Sequence, residues 1–328
     1  MDENHVPQWH VIGSSVQGAS HERIMLPNQD AISWLPESGT GPPLILAVSD
    51  GHGSATSFRS DIGAQLAVEE AVAVCSTILT SQPDRPNLSA VKRWCEESLP
   101  REIVRRWCNA VADDLAVRPP TSEELSKLEA EKGIDDRRHV TLEPILAYGA
   151  TILTLLVTES FILFTQLGDG DILTVSENGE ISRPLPSDER LLGDETTSLC
   201  MREAWRDFEV SFQALDGTPP ALVLVSTDGY ANSFRNEADF LKIGPDYLNM
   251  IRLDGLDYVD RSLGAWLSEA SHKGSGDDIT LGIICRMDAL AKSDEHLCAE
   301  QAEGEDNGMA DMDSSSKTEL PSELHGER

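Results

Sequence analysis

Asp50 ends an apolar run. LILAVSDGHGS, from Leu44 to Ser54, carries a hydrophobic stretch into a carboxylate, and behind it two glycines bracket His52. The same local grammar recurs far away in the chain: LVLVSTDGY sets Asp228 beyond an apolar stretch, FILFTQLGDGD does so with Asp169, and GSGDDITLGIICR places Asp277 and Asp278 just before one. Strand ends of a packed sheet converge on an edge or cleft, so these acids are expected to meet there. Two carboxylates ~4 Å apart repel by about 1 kcal/mol in bulk water and about 4 kcal/mol at an effective dielectric of 20. A group of them therefore needs protons or cations. The donors are hard oxygens, carboxylates plus the carbonyls of Gly51 or Gly229, and the sequence has no HxxxH and no Cys/His cluster. That set selects Mg²⁺ or Mn²⁺ over Zn²⁺, and a glycine after the acid lets the backbone approach an ion without a Cβ in the way. Asp-Gly is also an ordinary turn dipeptide, and one copy would mean nothing more; several in the same setting argue for a site. His52, two residues from Asp50, is either a hydrogen-bonded loop residue or, with an ordinary pKa near 6.5, a proton donor to a leaving group.

Elements of short, β-branched or aliphatic character must position these acids. Strands are expected at Trp9 to Val16, Leu44 to Val48, Ile152 to Val157, Phe161 to Gln166, Ala221 to Val225 and Ile279 to Cys285. Only Thr158, Glu159 and Ser160 separate the third from the fourth, which predicts an antiparallel pair. Helical periodicity starts at Ser60, where Ser60 or Asp61 can cap. It recurs from Val91, broken or kinked near Pro100, and from Asp246 to near Lys273. The segments around Pro83 and from Val117 to His139 read as loops, the second holding at most a short solvated helix. Beyond Met287 the composition turns acidic and almost devoid of large apolar residues, so 288–328 reads as a disordered tail that cannot bury enough surface to offset its chain entropy. It is either a solvated extension or an electrostatic arm for a basic partner. Residues 1–287 then form one αβ domain.

Bulk properties narrow the partners. Twenty-six basic residues against 57 acidic ones leave a formal charge of −31, which repels phosphate backbones and anionic headgroups. Neither nucleic acid nor a membrane surface is an expected partner. No stretch of ~18 uncharged apolar residues marks a span; the longest candidate, from Ile152, is broken at Glu159. Six cysteines without a CxxC pair fit reduced thiols and a cytoplasmic setting.

Taken together, AVSDGHGSA, the GAT of Gly149 to Thr151, QLGDGD from Gln166, VSTDGYANSF from Val225 and GSGDDITL from Gly274, with PNQDA from Pro27 upstream, resemble the type-2C family of metal-dependent Ser/Thr protein phosphatases, and the wording is closest to bacterial members. The resemblance covers roughly Trp9 to Met287. It implies an α+β fold, a four-layer αββα sandwich of two antiparallel sheets flanked by helices, with a two-metal site in a cleft at one end. It also implies that Asp50 bridges two Mn²⁺ or Mg²⁺ ions, that Gly51 lends a carbonyl, that Asp228 and Asp277 complete the shell and that Asp30 holds metal-bound water. Asp169 matches an acid for a third, weaker ion, and His52 the general acid. The implied reaction is attack of a metal-bridging water on phosphoserine or phosphothreonine in a protein, opposing a Ser/Thr kinase in signalling, with no covalent phosphoenzyme.

Three departures stand against the family pattern. Where members carry a phosphate-binding arginine this chain has Met25; Arg23, two residues earlier, is the expected stand-in, with His21 before it. Asp171 occupies a position where arginine is common. Asn232 replaces an acid, which would weaken the third metal site. The stretch RLLGDETTSLCMREAW from Arg190 falls where the family has its variable flap. Met25 and Asn232 motivate the alternative reading, a pseudophosphatase that binds phosphoproteins or a kinase without turnover. A two-metal nuclease is disfavoured by the acidic charge.

Overall fold

The computed structural model of the chain describes residues 8–80, 87–185 and 197–290. Two separate antiparallel sheets form its centre. One contains β1 (Trp9–Val16), β3 (Thr40–Gly41), β7 (Asp171–Val175), β8 (Ile181–Ser182), β10 (Leu222–Ser226) and β11 (Ile279–Arg286), in the order β3-β1-β11-β10-β7-β8. The other contains β2 (Ala31–Leu35), β4 (Leu44–Ser49), β5 (Ile152–Val157), β6 (Phe161–Leu167) and β9 (Glu209–Ala214), ordered β2-β4-β5-β6-β9. The expected hairpin is present, with Ile152 opposite Leu167 and Val157 opposite Ile162.

Side-chain alternation builds the layers. Along β4, Leu44, Leu46 and Val48 point between the sheets, where they meet Val223, Val225 and Ile284 of the facing sheet, while Ile45 and Ala47 point outward to helices. Outside the second sheet lie α2 (Ser60–Thr80), α3 (Leu88–Glu97), α4 (Leu99–Val117), α5 (Ser122–Lys132) and α6 (Ile134–Leu142). Against the first sheet pack α9 (Ile243–Asp254) and α10 (Leu256–Lys273), with Leu222 and Leu224 facing Tyr247 and Leu263 in one cluster. The short helices α1 (Ala19–Ile24), α7 (Asp228–Ala231), α8 (Glu237–Leu241) and α11 (Met287–Leu290) complete the set. The result is the expected four-layer αββα sandwich. By length and composition α2 could cross a membrane, yet Ala64, Ala67, Val68, Ala71, Val74, Cys75 and Ile78 are buried in the protein's own core. It is a core helix.

The sheets touch closely at one place. Gly13 on β1 pairs with Gly282 on β11, and a Cβ on Gly282 would lie 2.7 Å from Leu46 Cδ2, one on Gly13 2.7 Å from Ile32 Cδ1. Large side chains of the second sheet press into the space those two glycines leave.

The helix from Val91 is broken before Pro100 as expected, into α3 and α4, and the Asp246 segment is two helices parted at Gly255, whose φ is +91°. Segment Val117 to His139 departs from expectation, since it holds α5 and α6. The reason was in the sequence: Thr121 and Glu124 form a capping box, and Leu128 and Val140 are buried in the helical core. Arg59 fastens this pair of helices. Its guanidinium donates to Glu124 Oε1 and Oε2 at 2.9 and 3.0 Å, to the Tyr148 hydroxyl at 2.8 Å and to the carbonyls of Arg118 and Pro119. Burial alone would raise the Glu124 pKa, but the bonds from Arg59 and Thr121 outweigh it and hold the carboxyl at about 2. Because the folded pKa is depressed, the stabilisation is complete above the ordinary value of 4.5 and fades as pH falls towards 2. Glu124→Gln is expected to lower unfolding free energy by about 1–3 kcal/mol at pH 7, with the gap to wild type closing as pH is lowered from 5 towards about 2. Urea melts across that range check it.

The stretch around Pro83, most of the flap and the acidic tail beyond Leu290 lie outside the described residues. The α11 helix takes in three residues of the stretch read as tail, since Ala289 and Leu290 are buried and Ala289 O accepts from Arg252 at 2.9 Å.

Candidate metal centre and active site

Five strand ends meet at one end of the sandwich. Asp50 follows β4, Asp169 lies between β6 and β7, Asp228 opens α7 after β10, Asp277 and Asp278 precede β11, and Asp30 precedes β2. Both sheets contribute. Asp50, Asp169 and Asp228 each offer one carboxylate oxygen, and the three oxygens lie within 4.8 Å of one another.

The GAT segment fixes Asp50. Its amide donates to Thr151 Oγ1 at 2.9 Å, and the Thr151 amide donates to the Asp50 carbonyl at 2.8 Å. Asp228 accepts from Asn232 Nδ2 at 2.9 Å, so the residue that departs from the family pattern holds an acid of the cluster. Asp30 is buried and accepts from Thr227 Oγ1 at 2.8 Å. The glycines behind the acids serve packing: a Cβ on Gly51 would lie 2.5 Å from the Gln29 carbonyl and 2.6 Å from that of Ser60, and one on Gly229 would lie 2.1 Å from that of Asp278. Their missing side chains admit neighbouring backbone at the cleft floor.

Asp277 stands beside the trio. Asp169, not Asp277, completes the set of mutually close oxygens, because the Asp277 carboxylate is turned to accept the amide of Asp278 at 2.9 Å. Its charge still reaches Asp30, Asp50 and Asp228. Asp278, given no role by sequence reasoning, binds three segments at once: it accepts from the amides of Gly18 and Gln29, each at 2.6 Å, and its Oδ2 lies 2.9 Å from His21 Nδ1. Two consecutive acids were the only signal for it.

Electrostatics report the crowding. Burial raises the Asp50 carboxyl well above the usual range, and Asp30 and Asp228 push the same way. Burial raises Asp228 as well, with the charges of Asp169 and Asp277 pushing the same way against a hydrogen bond shared with Asp50. Asp30 is raised by burial against the opposing bond from Thr227. Without cations the cluster takes up protons, and a hard-oxygen nest of this kind fits a hard divalent ion. His52 donates its amide to the Gly149 carbonyl at 3.0 Å. Burial lowers its pKa, and the Asp169 charge opposes the drop.

The remaining candidates lie outside the trio of mutually close oxygens. Arg23 is exposed on α1, its Nε donating to the Ala19 carbonyl at 3.1 Å. Met25 is 90% exposed with φ +57°. Asp171 accepts from Arg183 Nη2 at 2.5 Å, and Arg183 Nη1 donates to Glu237 at 3.0 Å; burial pushes the Asp171 carboxyl up to about 6 against the pull of Arg183. The described part of the flap region is laced beneath the site, with Leu199 N donating to the Ala150 carbonyl at 2.9 Å.

A family model described as Protein phosphatase 2C matches residues 17–268. The chain belongs to this family. The span takes in Asp30, Asp50, Asp169 and Asp228, and stops short of Asp277. Among solved structures, a bacterial serine phosphatase matches at a TM-score of 0.50 and 12% identity, covering 84% of this chain and 97% of that one, which supports the shared fold. The catalytic domain of the serine/threonine protein phosphatase PstP in complex with two manganese ions matches at 0.49 and 16% (85% and 98% covered). A C. elegans sex-determining protein matches at 0.49 and 18%, covering 86% of this chain and 66% of that protein. Comparison with curated proteins gives no match.

Proposed function

We propose that this chain removes phosphate from phosphoserine and phosphothreonine in proteins, using two Mn²⁺ or Mg²⁺ ions at the acid cluster, with room for a weaker third. One observation carries the reading: carboxylate oxygens from both sheets, Asp50, Asp169 and Asp228, lie within 4.8 Å of one another. Asp50, Asp169, Asp228 and the Gly51 carbonyl would hold the ions, with Asp277 beside them and Asp30 placed for their water. Bound there, the ions would lower the pKa of water and neutralise charge on the phosphoryl oxygens.

The chain's own groups do the rest. Thr151 and Thr227 hold Asp50 and Asp30 in place. Burial lowers the His52 pKa, which makes the protonated ring a stronger acid towards the departing serine or threonine oxygen while reducing how much of it is protonated at neutral pH. A phosphoprotein substrate, an opposing Ser/Thr kinase and a cytoplasmic location belong to the same proposal. The test is hydrolysis of p-nitrophenyl phosphate and a phosphothreonine peptide by chelator-stripped protein reloaded with Mn²⁺. Absence of turnover on both would leave the binding-module reading in its place. His52→Gln is expected to lower kcat on the peptide about 10²-fold. It should lower kcat far less on p-nitrophenyl phosphate, whose leaving group needs no proton; equal losses on both esters would remove His52 from the acid role.

A further inference from the structure

His21 and Gln29 approach the same point beside Gly53, and the reaction as described uses neither. His21, on α1, has a side chain only 12% exposed, with Nδ1 2.9 Å from Asp278 Oδ2. Its other nitrogen lies 3.9 Å from the point where a Cβ on Gly53 would stand. Gln29 Oε1 lies 3.7 Å from that same point. Gln29 is 6% exposed. Its amide Nε2 donates to Ser60 Oγ at 2.7 Å, and its Oε1 is buried without a hydrogen-bond partner. A buried amide atom left unpaired costs about 1–3 kcal/mol, so the site is built for something that arrives. Gly53 itself is exposed. It lies on the loop that follows Asp50.

The chemistry of the three groups selects the visitor. A serine hydroxyl both donates and accepts, so the Gln29 amide can turn over against Ser60 and present its NH₂ outward. With Nδ1 turned to Asp278, the ring presents Nε2 towards Gly53, and an imidazole that carries both protons donates from each nitrogen. Asp278 is in turn fixed by the amides of Gly18 and Gln29, so ring and amide hang from one anchor. Two donors converging beside an acid cluster fit a phosphoryl oxygen.

We infer that His21 Nε2 and the Gln29 amide bind the substrate's phosphoryl group, in the role that sequence reading gave to Arg23. Arg23 is turned back onto its own helix, and Met25 offers no charge. This inference rests on the phosphatase reading, and its test is a binding measurement that does not need turnover. Inorganic phosphate is titrated calorimetrically into Mg²⁺-loaded full-length wild type and the variants His21→Ala, Arg23→Ala and Gly53→Ala. Loss of a charged hydrogen bond should raise Kd about tenfold or more in His21→Ala, with Arg23→Ala within twofold of wild type. Gly53→Ala leaves both partner side chains in place and meets only ordinary contact distances, yet it sets a methyl before Nε2. It should weaken phosphate about fivefold or more, at unchanged melting temperature. The inference falls if wild type binds no phosphate, if Arg23→Ala is the variant that loses binding, or if Gly53→Ala and a folded His21→Ala bind like wild type. The expected binding pattern in a protein that hydrolyses no phosphoester would instead overturn the enzyme reading and leave this subsite standing.

Discussion

Asp50→Asn is expected to cut metal-dependent hydrolysis of p-nitrophenyl phosphate by about 10³-fold or more in kcat at saturating Mn²⁺. The change removes one charge and nothing of shape. The Asp50 backbone is held by Thr151 in both directions, and Gly51 stays wedged between the Gln29 and Ser60 carbonyls, so the loop has no reason to move. What changes is the donor set, because Asp50 is the acid that both Asp30 and Asp228 act upon. Its amide replacement leaves a neutral oxygen where ions need an anionic one. The half-saturation for Mn²⁺ should rise along with the fall in kcat. Retention of more than a tenth of wild-type kcat would move the centre of the chemistry away from Asp50.

The second large effect is on stability, with metal as the variable. Asp30, Asp50 and Asp228 all have folded pKa values raised chiefly by burial, with neighbouring carboxylates pushing each the same way. A raised carboxyl stabilises the fold below its unfolded value of 3.8, and that stabilisation is lost as pH rises through the folded pKa. The metal-free domain should therefore weaken between about pH 4 and neutrality on account of these groups. Cations reverse this, since they bind the folded nest and displace its protons. Mn²⁺ at 100 times its Kd adds about 2.7 kcal/mol, which for a domain of this size raises Tm by about 5 °C. The rise should be larger at pH 8 than at pH 5.5. In Asp50→Asn the metal-free Tm should exceed that of wild type at pH 8, and the response to Mn²⁺ should shrink. Differential scanning calorimetry with and without chelator reads all of these; a Tm indifferent to Mn²⁺ at pH 8 would separate the acid cluster from ion binding.

Much of the architecture was legible because the apolar runs are short and bounded by punctuation. The six expected strands match observed ones within a residue or so at each end, and the two-residue period along β4 already separates the sheet interface from the helix face. Of the strands not expected, β7 is buried and internal to its sheet, while β2 and β9 carry weaker patterns. In β2, AISWL is half-buried, and β9, EVSFQA, runs at the outside of its sheet, so neither has the dense aliphatic run that marks a central strand. The capping box at Thr121 was readable and passed over because the surrounding residues are polar.

The site was legible in residue type and less so in direction. Asp50, Asp169 and Asp228 were all named from their setting, but nothing in the order of residues says that Asp277 bends to its neighbour's amide while Asp169 turns inward. Local turn geometry decides that. The same holds for Arg23 and His21: the charge of arginine drew attention, whereas which side of a six-residue helix faces the cleft is set by Asp278, some 250 positions along the chain.

The paired glycines Gly13 and Gly282, filled from across by Leu46 and Ile32, bear on more than tight packing. Asp50 rides on one sheet and Asp228 on the other, and no shared ladder joins the two. The jaws of the ion grip are thus mounted on separate plates, and the seating of two aliphatic knobs in two bare sockets sets how those plates align. Wear in that joint would be felt first as a looser hold on the ions, well before the fold itself gave way.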